Sequence, residues 1–215
     1  MKLTVSFLGL FAFIATSAFA SVVEVKGTAK DVDVSGKIYK VYPEATLNTL
    51  NGPVAMKLTG YGVRQKSVAF VKVNVYLATS YVDMDTQLST TTPIESLKDA
   101  KGRVIMLDML RAMTASDIRT AFEEALDVNG VDINSKAVQS VFSKFNGDLR
   151  EGDRILLASY PGERSDETLV IELPRKSVIQ ETGNFLGLDF WKIWFGEPVD
   201  ALMDELKARL TGAKK

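Results

Sequence analysis

Arg64 and Tyr76 stand in a run, Gly60 to Val82, that is otherwise rich in valine. An arginine among valines needs a partner, because burying its charge unpaired is expensive. Its planar fork suits a carboxylate through two parallel hydrogen bonds, and a nearby tyrosine hydroxyl can donate one more. The chemistry these types suggest is recognition of an organic anion. Spacing alone leaves the plainer reading open, in which Arg64 sits on a rim and pairs with a surface acid. Arg111 and Arg119, at the start of a downstream helix, are further cations that could reach a ligand, although solvent-exposed positions suit them as well.

The missing residue types narrow the chemistry further. The chain has no cysteine and no histidine, which removes disulfides, thiolate nucleophiles, the usual catalytic triads and the usual zinc sites. Any reaction would have to use Arg, Lys, Tyr, Ser, Thr or carboxylates. No pair of carboxylates has a spacing that argues for acid–base work. Hydrolases and metalloenzymes are disfavoured, and no metal or other cofactor is expected.

Two elements must position Arg64 and Tyr76 if they are to share a site. The Gly60 to Val82 run alternates strictly and reads as a two-faced strand. Ala69, Val71, Val73, Val75 and Leu77 form a wholly apolar register, while Arg64, Lys66, Lys72, Asn74 and Tyr76 lie in the other among Val68 and Phe70. Twelve residues of extended chain separate Arg64 from Tyr76, roughly 40 Å at ~3.3 Å per residue. They converge only if the chain turns back between them, and no strong turn signal lies there.

Around that run the pattern mixes strands and helices. Short strands are expected at Val22 to Val25, Lys37 to Tyr42 and Val54 to Leu58, with Asn51-Gly52-Pro53 as a turn. Ile94 to Ala100 reads as a short helix and Val104 to Leu110 as a buried strand. Thr114-Ala115-Ser116-Asp117 approximates a capping box and opens a helix carrying Ile118, Phe122 and Leu126 at helical spacing. A second helix is expected at about Ser135 to Phe145, a hairpin at Arg154 to Tyr160 and Thr168 to Leu173, and a short strand at Ser177 to Ile179. Two helices follow, about Asn184 to Phe195 and Val199 to Leu210. Hairpins rather than regular βαβ alternation predict an α+β fold, a large mostly antiparallel sheet with helices gathered on one face. Within the penultimate helix only Asp189 and Lys192 are charged, so it should be buried on most sides. Phe185, Leu188, Phe190, Trp191, Trp194 and Phe195 could line an apolar cavity or pack as ordinary core.

Residues 1 to 20 read as a secretory signal peptide, with Lys2, an apolar Leu3 to Ile14 segment and the small-x-small site Ala18-Phe19-Ala20. Residues 21–215 are then one domain of a periplasmic or secreted protein, with no later segment able to span a bilayer. The formal net charge of -1 offers no basic excess for nucleic acid.

Three blocks of sequence resemble the chalcone isomerase-like family, in its secreted bacterial branch. They are Gly60 to Lys66 with Val75 to Tyr81; Leu110 to Asp117; and Gly152 to Ile155 through Tyr160-Pro161-Gly162 to Ile193 to Pro198. The resemblance implies a large antiparallel sheet covered by helices with a ligand cleft between them. It also implies two occupations, cyclisation of chalcones in the plant enzymes and fatty-acid carriage in non-enzymatic relatives, where an arginine and a tyrosine hold the carboxylate. The family arginine falls on Arg64. The position that is threonine in the enzymes and tyrosine in the fatty-acid binders falls on Tyr76. A tyrosine that enzymes place in the first turn of the capped helix falls on Ile118, and a polar residue near the start of the penultimate helix on Gly187. All three departures weaken the hydroxyl network that would stabilise a chalcone's enolate.

The resulting expectation is non-catalytic binding of an amphipathic carboxylate such as a fatty acid, with Arg64 and Tyr76 at its head and Phe70, Phe185 and Trp191 along its tail. The alternatives are a chalcone isomerase-type lyase acting on a phenolic ligand, and a structural or partner-binding envelope protein with a sealed interior.

Overall fold

The run from Gly60 to Val82 is a hairpin, not a single strand. In the computed structural model, which describes residues 21–162, 164 and 166–214, β5 (Gly52–Val68) and β6 (Val71–Asp83) pair antiparallel around Ala69 and Phe70. Both turn residues take positive φ, 46° and 68°. Positive φ at both central residues is the requirement of the type I′ hairpin turn, which normally draws on Asn-Gly or Asp-Gly to reach it. Ala-Phe enters the left-handed region at a cost of roughly 1–2 kcal/mol per residue, so this sequence carries no local turn signal. The long ladder on either side imposes the turn.

The sheet has the order β1-β4-β5-β6-β7-β8-β9-β10, all neighbours antiparallel, where β1 is Val23–Lys26, β4 Glu44–Thr49, β7 Arg103–Met109, β8 Arg154–Pro161, β9 Asp166–Leu173 and β10 Ser177–Asn184. A separate hairpin pairs β2 (Lys30–Val34) with β3 (Lys37–Val41), the latter lying within the strand expected at Lys37 to Tyr42. The expected leader at residues 1–20 lies outside the described residues.

The sheet is curled so far that its first strand returns towards its far edge. Glu172 on β9 accepts hydrogen bonds from the Val22 amide and, at 2.7 Å, from the Ser21 hydroxyl. The enclosed face holds its own apolar cluster, including Leu47, Met56, Tyr81, Met106 and Leu156. The opposite face, with Ala78, Leu107, Leu157 and Ile171, carries the helical layer, namely α1 (Pro93–Leu97), α2 (Ala115–Val128), α3 (Lys136–Lys144), α4 (Leu186–Phe195) and α5 (Ala201–Leu210). The expected α+β architecture is therefore present. Among the described residues no helix is long and apolar enough to cross a membrane.

Capping follows the sequence at α2, where the Thr114 hydroxyl accepts from the Asp117 amide at 3.0 Å. At α4 it does not. Phe185 precedes that helix with φ 53° and no side-chain cap. Instead Glu167, on β9, accepts from the Leu188 amide at 2.6 Å and binds Arg103 through its other oxygen at 2.7 Å. This buried arginine–carboxylate pair ties sheet, helix start and the Leu97 carbonyl together. Gly187 belongs to the same contact, since a Cβ there would lie 2.6 Å from Ser159 Cβ and 3.0 Å from Glu167 Oε2. Its small size lets α4 approach the sheet. At α5 the strand supplies the glycine, since a Cβ on Gly60 of β5 would overlap the Arg209 carbonyl.

Candidate functional site

A cleft of about 560 Å³ lies between the helix-covered face of the sheet and α2, with the start of α5 at one side. Its sheet wall is Val73, Val75, Tyr76, Leu107, Met109 and Ile155; its helical wall is Ile118, Ala121, Phe122 and Ala125. Arg64, Asp200 and Tyr76 bring polar groups to this apolar space, and Lys66, Arg111, Asp117 and Glu124 also line it.

Arg64 and Tyr76 are register partners across the β5–β6 ladder. The pairing then slips, with Gln65 opposite Asn74, so that Val75 has no partner on β5. This bulge turns both Val75 and Tyr76 towards the cleft, where strict alternation would have sent one of them to the opposite face. The two-register reading of the run thus fails at the residues that matter most. Leu77 stays buried but lies outside the cleft lining.

The Arg64 guanidinium is buried, with only 7% of the residue exposed. It donates Nη1 to Asp200 Oδ1 at 2.8 Å and Nη2 to Asp200 Oδ2 at 2.6 Å, and Nη1 also reaches the Gln65 carbonyl at 2.7 Å. This is the parallel fork expected for a carboxylate, made here by an acid of the same chain. Asp200 is also the N-cap of α5, accepting from the Met203 amide at 2.7 Å. The Arg64 hydrogen bond holds its carboxyl below the usual range, with help from the Met203 amide and against partial burial.

Tyr76 accepts a hydrogen bond from Trp194 Nε1 at 3.1 Å. Burial pushes its phenol up to about 12, against the opposing pull of the Trp194 bond and the Arg64 charge. The hydroxyl is therefore a neutral donor near neutral pH. Among the described residues its hydrogen has no acceptor, which leaves it available to a ligand. Trp194 is in turn set by Phe122, whose ring meets it edge-on at 5.6 Å between centroids.

Of the residues expected along a tail, none lines the cleft. Phe70 is at the apex of the hairpin and fully exposed. Phe185 is half exposed before α4, because its left-handed backbone turns the chain there. Trp191 is wholly buried among core side chains. Ile118, by contrast, does line the cleft, and Gly187 packs against Ser159 and Glu167 away from it. The site residue that sequence reading missed is Asp200; Trp194 and Phe122 stood there only as a possible cavity or core side chain and as an apolar helix position, with no sign of the contact to Tyr76. Asp200 carries an N-cap signal just before a helix, but its pairing with Arg64, 136 positions away, has no local sign. Trp194 is separated from Trp191 only by helical phase. Among the described residues no cluster of three or more acidic side chains could hold a metal ion.

A family model described as chalcone isomerase-like matches residues 40–212. Among solved structures, the chain is similar to the crystal structure of a fatty-acid binding protein from Arabidopsis thaliana. The TM-score is 0.59 at 17% identity, covering 86% of this chain and 97% of that one. At that identity the likeness concerns the fold. No curated protein matches the sequence.

Proposed function

The chain belongs to the chalcone isomerase-like family, and on that premise we propose that it binds an amphipathic carboxylate, such as a fatty acid, in the cleft between sheet and α2. The observation that carries this reading is the placement of a buried guanidinium and a neutral phenol, directly opposed across one ladder, beside an apolar space of about 560 Å³. A volume of that order is typical of small-molecule sites, which are mostly apolar with a few placed polar groups.

In this proposal Asp200 stands in for the ligand's headgroup. The incoming carboxylate takes the two Arg64 donors, Tyr76 donates to one of its oxygens, and Asp200 swings outward while keeping its hydrogen bond to the Met203 amide. Asp200 is well placed to leave, since 38% of its side chain is exposed whereas Arg64 is almost covered. One carboxylate replaces another on Arg64, so the exchange contributes little net energy. The tail supplies most of the affinity, at roughly 0.8 kcal/mol per buried CH₂. Ile118 supports binding over cyclisation, because it presents an alkyl group to the cleft where a hydroxyl network for an enolate would need a donor. We place this activity outside the cytoplasm, on the leader-like character of residues 1–20.

The test is extraction of the purified protein with organic solvent and mass spectrometry of co-purifying lipid, followed by titration with palmitate. Lipid should be retained by a Lys98→Ala control and lost in Arg64→Ala, at a cost of about 1.5–3 kcal/mol in binding. A protein that carries no lipid and ignores added fatty acid would refute the reading.

A further inference from the structure

The tip of the β5–β6 hairpin has a composition that folding does not explain. Val68, Phe70 and Val71 are 50%, 105% and 61% exposed, and Ala69 and Phe70 occupy the left-handed conformation that Asn-Gly would adopt more cheaply. Phe70 packs on nothing and strains the turn. Lys66 and Lys72 flank this apolar apex, one on each strand, and among the described residues neither forms an ion pair or side-chain hydrogen bond. The entire segment from Gly52 to Val82 contains no aspartate or glutamate. Val68 and Lys66 also line the cleft, so the tip adjoins its rim, where Arg111 adds a further cation and Asp117, Glu124 and Asp200 supply acids.

We propose that this hairpin tip is a docking finger for an anionic phospholipid surface. Its apolar apex enters the interface, and Lys66 and Lys72 meet the headgroups. A phenylalanine and valines that can bury at the headgroup/acyl boundary, with flanking lysines for anionic headgroups, match what such a surface selects. The geometry argues against a second copy of the chain as the occupant. A stable protein interface needs about 800 Å² from each partner, which three side chains on a narrow convex tip cannot supply to a flat face. A bilayer closes around a protrusion. The finger stands independently of which ligand the cleft takes, although it would bring the cleft's rim to the membrane.

The experiment is co-sedimentation of the purified full chain with vesicles of phosphatidylglycerol and phosphatidylcholine, and with vesicles of phosphatidylcholine alone. The parent protein should bind the anionic vesicles preferentially and be released by added salt. Phe70→Gly, whose glycine suits the positive φ, should keep or raise thermal stability while lowering the vesicle partition at least about tenfold. Lys72→Gln should reduce the preference for anionic lipid several-fold. Residues 1–20 are common to all these proteins, so the difference between parent and variant is the quantity read. Equal partition of Phe70→Gly and parent, no preference for anionic vesicles, or a Phe70-dependent dimer in place of vesicle binding would each overturn the proposal.

Discussion

Arg64 and Tyr76 lie twelve positions apart in the chain and directly opposite each other across the β5–β6 ladder. Each is already engaged, Arg64 by Asp200 and Tyr76 by Trp194. The site is thus a closed circuit; under the proposed function a ligand would exchange with one internal partner, Asp200, and add to the other residue, Tyr76, through its unused proton.

Asp200→Ser separates the two roles of this acid. Serine is as good an N-cap as aspartate, so α5 should keep its start, while Arg64 loses its counter-ion and stability drops by about 1–3 kcal/mol. Affinity for palmitate should rise on the order of tenfold, because the internal competitor is gone. Calorimetric titration beside urea unfolding reads both effects. A fall in affinity together with stability would show that Asp200 assists binding.

If the headgroup exchange is nearly neutral, chain length sets the affinity. A series of saturated fatty acids should tighten about fourfold per added CH₂ until the cleft is full, then level off. A flat series would place the tail in solvent.

Alkaline stability follows from the two buried phenols. Burial pushes both Tyr76 and Tyr81 up to about 12, so the folded state favours their neutral forms. Their contribution is complete below about pH 10, the ordinary phenol value, and is lost as the pH rises through about 12. The urea midpoint should fall over that window. In Tyr76→Phe the fall should be shallower by about 2–3 kcal/mol. The same variant should be less stable at pH 7 by about 1–3 kcal/mol, because Trp194 Nε1 loses its acceptor.

The buried pair Arg103–Glu167 is the structural anchor of the helical layer, not part of the cleft. Glu167→Ala leaves a fully buried guanidinium unpaired and removes the acceptor of the Leu188 amide. It should cost about 3–5 kcal/mol in urea unfolding. Replacing both, as Arg103→Met with Glu167→Leu, should recover much of that loss.

The sequence by itself determined the elements whose signals are local. Periodicity placed β7, α2 and the β8–β9 hairpin, the Thr114 cap placed the start of α2, and the almost uncharged Leu186 to Phe195 stretch foretold a helix buried nearly all round. It also singled out Arg64 and Tyr76, since an arginine among valines demands a partner wherever it sits. The sequence could not show which partner Arg64 has, because an ion pair spanning 136 positions leaves no mark in either neighbourhood. Nor could it show that the run folds back on itself. Ala69-Phe70 is a poor turn, forced left-handed by the cross-strand pairs around it, and cooperative pairing is a property of two strands together. The bulge at Val75 shifted the face of every residue beyond it, which no alternating pattern can announce. Tertiary structure therefore decided what lines the cleft. It kept Tyr76 and Ile118, moved Phe70 to the open tip and Trp191 to the core, and brought in Asp200 from the far end of the chain.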